Sequence, residues 1–199
     1  MLPPEPGVGG LFYGWVIVWT VFLILLTTAG LGFYNASVIL KAAVGELEVS
    51  QGAASVGPTL FFSISGVTGF LLAKKFNVLD VRWFYLIGGV VGAVALFSLR
   101  WVDNLATYYA FFAVYGIAFA FAGLVPGTTL VARWFDRKRP SALSIASTGL
   151  SMGGIVLTPF AADSIDTTGL AASGNWMSIA WFVGVVPLAM LLLRNFPAD

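Results

Sequence analysis

The chain has 199 residues, of which 59% are hydrophobic and only 10% are charged, and its mean hydropathy is +0.93. A soluble domain carries about 25% charged residues and about 45–50% apolar ones, so this composition excludes an ordinary water-soluble fold. The net charge of +1 gives no reason to expect a nucleic-acid partner. The chain has no Cys, which excludes thiol chemistry, and no His, the commonest metal ligand, so we expect no metal and no cofactor.

Apolar runs of membrane-spanning length recur along the whole chain. A spanning helix needs about 20 mostly apolar residues, with a range of about 17–25. The length of the runs and their lack of apolar–polar alternation favour helices over barrel strands. We therefore predict an all-α membrane protein with six transmembrane helices at residues 13–40, 53–72, 83–99, 105–131, 142–162 and 176–193.

The first helix follows a Pro- and Gly-rich segment at residues 1–12, which we predict to be a cytoplasmic tail. This segment has no basic n-region and the first run is too long for an h-region, so no cleavable signal is expected. Within the helix, Thr28, Tyr34 and Asn35 are polar groups that lipid disfavours, so they are candidates for lining a solute cavity. Asn35 alternatively caps or bonds another helix. Lys41 either attracts anions at the cavity mouth or extends its ammonium group to water.

The fourth helix contains a second group of candidates near its end. Pro126, Gly127 and Thr128 have two interpretations. They either interrupt the helix, which would free backbone carbonyls to face a cavity, or mark a simple kink. Arg133 follows at the cytoplasmic end. It either forms a gate salt bridge with a missing second half, or only contributes to the positive charge of the cytoplasmic side.

The orientation follows from the distribution of basic residues, because cytoplasmic loops are enriched in Lys and Arg. With six crossings, one side holds eight basic and four acidic residues, a net charge of +4, and the other holds two basic and five acidic residues, a net charge of −3. The first side, which includes both termini, is predicted to be cytoplasmic, and residues 194–199 begin a cytoplasmic linker or tail. The membrane is predicted to be the plasma membrane, or the inner membrane in a bacterium. The basic residues of the cytoplasmic side are Lys74, Lys75, Arg82, Arg133, Arg137, Lys138, Arg139 and Arg194.

Arg137, Lys138 and Arg139 form a cluster in the loop before the fifth helix. We interpret the cluster as a solvated topology signal, with binding to lipid headgroups as the alternative. On the fifth helix itself, Gly149 and Gly153 lie one turn apart. Small residues at this spacing predict that a neighbouring helix approaches closely.

A family resemblance appears in the same region. Residues 132–140 read A-R-W-F-D-R-K-R-P and residues 142–154 read A-L-S-I-A-S-T-G-L-S-M-G-G. They resemble the pattern R-W-F-x-x-R-R-x-x-A-x-G-I-A-x-x-G-x-x-x-G-G of the major facilitator superfamily, in its monocarboxylate transporter and oxalate:formate antiporter branch. Y-G-W-V-I-V at residues 13–18 is similar to the opening of helix one there, and Y-N-A-S-V at residues 34–38 stands where that branch has Y-S-F-G-V. The resemblance covers residues 13–193 and implies one six-helix half of a twelve-helix transporter, built from two inverted three-helix repeats.

One family motif is altered in this chain. The loop after helix two in the family reads G-x-L-A-D-R-F-G-x-R, whereas residues 73–82 read A-K-K-F-N-V-L-D-V-R. Asn77 stands at the Asp of the motif and Val78 at its Arg. In the family this loop latches the two halves, so the change puts that gating role in question, although Lys74 and Arg82 keep the loop basic.

The resemblance implies secondary active transport of a small solute, best matched by an organic anion such as a monocarboxylate or dicarboxylate. Alternating access needs two bundles, so the expected partners are membrane lipid, the solute and a second six-helix half, which is either another copy or a separate chain. The alternative is a truncated or split membrane protein that acts at most as a scaffold. An enzyme is disfavoured because the sequence presents no nucleophile–base pair, metal cluster or phosphate loop.

Overall fold

The structure is a computed structural model that describes residues 13–195, the side chain of Asn77 excepted. The predicted tail at residues 1–12 and the end of the predicted linker, residues 196–199, lie outside the described residues. The described elements are α1 (Tyr13–Thr28), a π-helical segment (Ala29–Tyr34), α2 (Asn35–Glu46), α3 (Gln51–Val78), α4 (Val81–Phe97), a 3₁₀ turn (Ser98–Trp101), α5 (Leu105–Ala122), α6 (Leu124–Trp134) and α7 (Arg139–Leu192).

Among the described residues, five helical stretches are long and apolar enough to cross a membrane. The prediction of an all-α chain with membrane-spanning helices is therefore confirmed. The stretches are Tyr13–Glu46, Gln51–Phe76, Val81–Trp101, Leu105–Trp134 and Arg139–Leu192.

The 54-residue helix α7 is broken at Gly169, whose φ of 82° and ψ of 170° are not helical. The chain folds back there, as a hydrogen bond across the break shows: Trp176 Nε1 donates to Ser164 Oγ at 2.8 Å. A straight helix would separate residues twelve positions apart by about 18 Å. Helix α7 therefore has two arms, which we name the first arm (139–168) and the second arm (170–192).

Helices continue beyond the ends of the apolar runs. Helix α3 runs to Val78 through Lys74 and Lys75, past residue 72, because Lys is a good helix former even where it is not apolar. The first arm likewise extends past residue 162 to residue 168. There Thr167 Oγ1 and Thr168 Oγ1 donate to carbonyls one turn earlier, which keeps these hydroxyls satisfied within a helix.

The fourth predicted helix is interrupted, and the interruption precedes its proline. Gly123, with a φ of −84° and a ψ of −149°, separates α5 from α6. Pro126 lacks an N–H, and its ring would clash with the carbonyl of Ala122 in a continuous helix. The backbone therefore leaves helical geometry at Gly123, three residues before the proline.

Helix α1 lies in the centre of the bundle and packs mainly against α7. Glycines allow this close approach: Gly149 lies against the carbonyl of Phe22, and a Cβ at Gly153 would be 2.7 Å from the backbone nitrogen of Gly30. The predicted close approach of a helix at Gly149 and Gly153 is therefore confirmed. Helix α5 packs in turn on α3 and α4, with Gly116 against the carbonyl of Phe61.

Candidate functional site

Asn35 lies inside the bundle, where the π-helical segment meets α2, and its side chain is fully buried. Its Nδ2 donates to Met177 Sδ on the second arm at 3.4 Å. Its Oδ1 has no hydrogen-bond partner among the described residues. Thioether sulfur is a weak acceptor, so the amide is only partly satisfied. Asn35 thus contacts the second arm through Nδ2, while its Oδ1 stays without a described partner.

The π-helical segment Ala29–Tyr34 is a feature that the sequence analysis missed. Its wider turn directs two carbonyls at side chains of other helices. Thr158 Oγ1 donates to the carbonyl of Gly30 at 3.1 Å, and Tyr115 Oη donates to the carbonyl of Leu31 at 2.7 Å. Short π-helical turns recur at functional sites. The local sequence signal is the pair of glycines in A-G-L-G-F-Y, which is weak by itself.

The remaining cavity candidates divide by exposure. Thr28 is fully buried, and its Oγ1 has no partner among the described residues. Pro126 and Gly127 are also buried, and a Cβ at Gly127 would lie 2.9 Å from Tyr85 Oη. In contrast, Tyr34 is 37% exposed.

Thr128 is half-buried on α6, and its Oγ1 donates to the carbonyl of Leu124 at 3.0 Å. It lines a cleft of about 320 Å³ between α6 and the beginning of α7. The cleft brings Thr128 next to Arg133, which the sequence analysis treated as a separate gating candidate, and adds Arg139 from the basic loop. The residues that line it are Thr128, Thr129, Ala132, Arg133, Arg139 and Leu143.

Arg133 also joins three helix ends on this side of the bundle. Its Nη1 donates to Asn195 Oδ1 after the second arm, and its Nη2 donates to the carbonyl of Phe76 on α3. The neighbouring Trp134 Nε1 donates to the carbonyl of Arg194 at 2.9 Å. Arg133 therefore has contacts within this chain that its positive charge alone did not predict.

The other gating and topology candidates are more peripheral. Lys74 is exposed near the end of α3, and Arg137 is exposed in the turn between α6 and α7. Arg82 is half-buried in the first turn of α4, where its backbone N–H donates to Asp80 Oδ1 at 3.0 Å. The side chain of Asn77 lies outside the described residues. The described cleft does not include Lys74, Arg82 or Arg137 in its lining.

Comparison with known proteins identifies the family. The sequence profile of the Major Facilitator Superfamily matches residues 7–199. The Uncharacterized transporter ESBP6 of Saccharomyces cerevisiae is 28% identical over 163 residues, which are 78% of this chain and 23% of that protein. Monocarboxylate transporter 14 of Homo sapiens is 27% identical over 169 residues, covering 79% of this chain and 30% of that protein. Aspyridones efflux protein apdF of Emericella nidulans is 26% identical over 196 residues, covering 96% of this chain and 35% of that protein.

The chain thus spans between 23% and 35% of the length of these relatives. The profile match nevertheless covers nearly all of it. The chain belongs to the Major Facilitator Superfamily and resembles its monocarboxylate transporter branch.

Proposed function

We propose that the chain is one half of a secondary active transporter that moves a small organic anion, such as a monocarboxylate or dicarboxylate, by alternating access. The observation that carries this proposal is the family match over residues 7–199. Three relatives are named for organic solutes: Monocarboxylate transporter 14, Aspyridones efflux protein apdF, and the Riboflavin transporter MCH5 of Saccharomyces cerevisiae, which is 25% identical over 159 residues. The two arginines that line the cleft between α6 and the beginning of α7 suit an anionic rather than a cationic solute.

The proposed membrane topology has six crossings, with the first and second arms of α7 as the fifth and sixth. Each arm is long enough to span the hydrocarbon core at 1.5 Å per residue. Both termini are placed in the cytoplasm, because eight of the ten basic residues then lie on that side. The membrane is the plasma membrane, or the inner membrane if the source is bacterial.

The packing supports two inverted three-helix repeats. The first crossing, Tyr13–Glu46, packs mainly on the two arms of α7, which are the second and third helices of the other repeat. The fourth crossing, Leu105–Trp134, packs mainly on α3 and α4, which hold the same places in the first repeat. This reciprocal exchange is the pattern that a pseudo-two-fold axis in the membrane plane would generate.

Two exposed helical faces support a second six-helix half as the partner. They belong to α3 and to the first arm, which are equivalent in the two repeats, and both carry small and hydroxyl-bearing residues. Such residues allow close helix packing and are better accommodated against protein than against lipid. We name these faces together the small-residue surface; its exposed members are Thr59, Ser63, Gly66, Ser141, Ser144, Thr148 and Ser151.

The test is transport by reconstituted protein. The chain is placed in vesicles at very low protein-to-lipid ratio, subunits are counted by single-molecule photobleaching, and uptake of a panel of labelled carboxylates is measured. We expect uptake from vesicles that hold paired bundles and none from those that hold single chains. Monomers that transport a carboxylate would refute the half-transporter proposal. Paired bundles that transport none of the carboxylates would favour the scaffold alternative.

A further inference from the structure

The cleft between α6 and the beginning of α7, which we name the basic cleft, has a composition that calls for a ligand. We propose that it binds an anionic oxygen group, a carboxylate or a phosphate, and that Arg139 contacts this group. The carboxylate case rests on the proposed function, whereas the phosphate case does not.

Two of the six residues that line the basic cleft are arginines. The planar guanidinium group offers paired N–H donors that match the oxygens of a carboxylate or a phosphate. Arg133 donates side-chain hydrogen bonds to Asn195 and to the carbonyl of Phe76, so its guanidinium group is engaged within the chain. Arg133 is also half-buried.

Arg139 is therefore the more available cation of the pair. Its side chain is exposed, and within residues 13–195 it forms no ion pair. It is the first residue of α7, and its position across the cleft from α6 is fixed by the short turn after Trp134. An anion in the cleft thus meets Arg139 directly and lies in the field of Arg133.

The two threonines of the lining do not compete with the arginines for the anion. Thr128 Oγ1 and Thr129 Oγ1 donate their protons to the carbonyls of Leu124 and Val125, at 3.0 and 2.8 Å. Their hydroxyls therefore offer no donor to an anion unless these bonds break. Ala132 and Leu143 add an apolar part to a lining that is mostly polar. Recognition of the anion then depends on the guanidinium groups.

Two sources supply this chemistry on the basic side of the membrane. One is the phosphate headgroup of an anionic lipid, which basic residues near the cytoplasmic leaflet attract. The other is the carboxylate of an organic solute that enters from the same side. Both present one anionic group on an apolar chain, and one experiment distinguishes them.

The experiment measures the thermal unfolding midpoint of the whole purified chain in neutral detergent at constant ionic strength. The probes are short-chain phosphatidylglycerol, hexanoate and inorganic phosphate, each titrated separately. A ligand that binds the folded state raises the midpoint in a saturable way. The variants are Arg139→Gln and the matched control Lys138→Gln, whose exposed side chain does not line the described cleft.

We expect at least one probe to raise the midpoint of the wild type and of Lys138→Gln. In Arg139→Gln its apparent affinity should fall by about tenfold or more, because a charge-assisted hydrogen-bonded pair is lost. A response to phosphatidylglycerol alone assigns a lipid headgroup, a response to hexanoate alone assigns an organic solute, and competition between the two assigns one shared anion site.

The proposal is overturned if no probe shifts the midpoint, if the shift follows ionic strength alone, or if Arg139→Gln and Lys138→Gln lose it equally. Should Arg139→Gln not fold, Ala132→Leu narrows the cleft without changing its charge and should weaken the same probe. The assay involves no transport, so its failure leaves the uptake experiment to judge the proposed function separately.

Discussion

The carboxylate of Glu46, at the end of α2, accepts a hydrogen bond from the backbone N–H of Leu170 at 2.9 Å. Leu170 begins the second arm, so Glu46 accepts a hydrogen bond from one of the N–H groups that have no partner within that helix. Its negative charge also interacts favourably with the positive end of the helix dipole. A Cβ at Gly169 would lie 3.3 Å from Glu46 Oε1. An exposed ion pair between Lys41 and Asp166, 3.5 Å apart, adds a second contact at the same place.

Replacing Glu46 should therefore destabilise the chain through the second arm. We expect Glu46→Ala to lower the free energy of unfolding by about 1 kcal/mol, the usual effect of losing an N-cap side chain. Glu46→Gln keeps an amide oxygen and should lose less. Thermal unfolding in detergent measures both, with Glu48→Gln as a control acid in the same loop. A Glu46→Ala variant as stable as the wild type would contradict this role.

The contact between the first arm and α1 gives a sharper stability test. A side chain at Gly153 would collide with backbone atoms of Leu26 and Gly30, which cannot yield without moving a helix. We expect Gly153→Leu to lower the free energy of unfolding by about 1–3 kcal/mol, the range for overpacked cores. Gly45→Ala is the control, because a Cβ there has no other described atom within 4 Å. Equal midpoints for the two variants would rule out the packed contact.

Association through the small-residue surface can be tested with a substitution that does not destabilise the bundle. A Cβ at Gly66 meets no other described atom within 4 Å, so Gly66→Leu should leave the thermal unfolding of the separate chain unchanged. If α3 packs against a second six-helix half, the same substitution should reduce association by blocking close approach. Photobleaching counts measure this, with Val183→Leu on the exposed face of the second arm as the control. Undiminished association of Gly66→Leu would place the partner elsewhere.

Sequence reasoning predicted the helical class well because the length of an apolar run is a one-dimensional property. It placed helix ends less well. Lys74, Thr167 and Thr168 lower the hydropathy of a run but do not end a helix, since their side chains or propensities are compatible with helical backbone. The one-residue reversal at Gly169 depends on a positive φ and on the cap from Glu46, which is 123 residues away.

The candidate site was predicted less completely, and the π-helical segment explains part of the difference. One extra residue per turn rotates the following helix by about 100° relative to a regular α-helix. Helical spacing from Thr28 to Asn35 therefore does not give the face on which Asn35 lies. The structure directs Asn35 at Met177, a contact between residues 142 positions apart that no local pattern encodes. The basic cleft, in contrast, lies between neighbours in the sequence, because the short turn after Trp134 joins α6 to the start of α7.

The orientation has its own test in reporter fusions. Fusions after Leu79 and Arg137 should report a cytoplasmic location, and fusions after Glu46 and Asp103 an external one, because of the eight-to-two division of basic residues. Glu46, Leu79 and Asp103 lie at or between described helix ends, so the reporters interrupt no helix. An external signal at Arg137 would reverse the orientation of the whole bundle.

The charge of the basic cleft can be measured with thiol reagents, because the chain has no Cys. In the purified Thr128→Cys variant, an anionic methanethiosulfonate should react faster than a cationic one of similar size. One unit charge about 4 Å away in water contributes about 1 kcal/mol, which is about fivefold in rate. At Gln51→Cys, exposed beside Glu48 on the side with a net charge of −3, the preference should reverse. Added salt should bring both ratios closer to one by screening the charges.

Asn35→Cys, whose native side chain is fully buried, should react slowly with either reagent. The same anion-to-cation ratio at Thr128→Cys and Gln51→Cys would show that the cleft does not concentrate anions, and would remove the electrostatic basis for placing an anionic group beside Arg139.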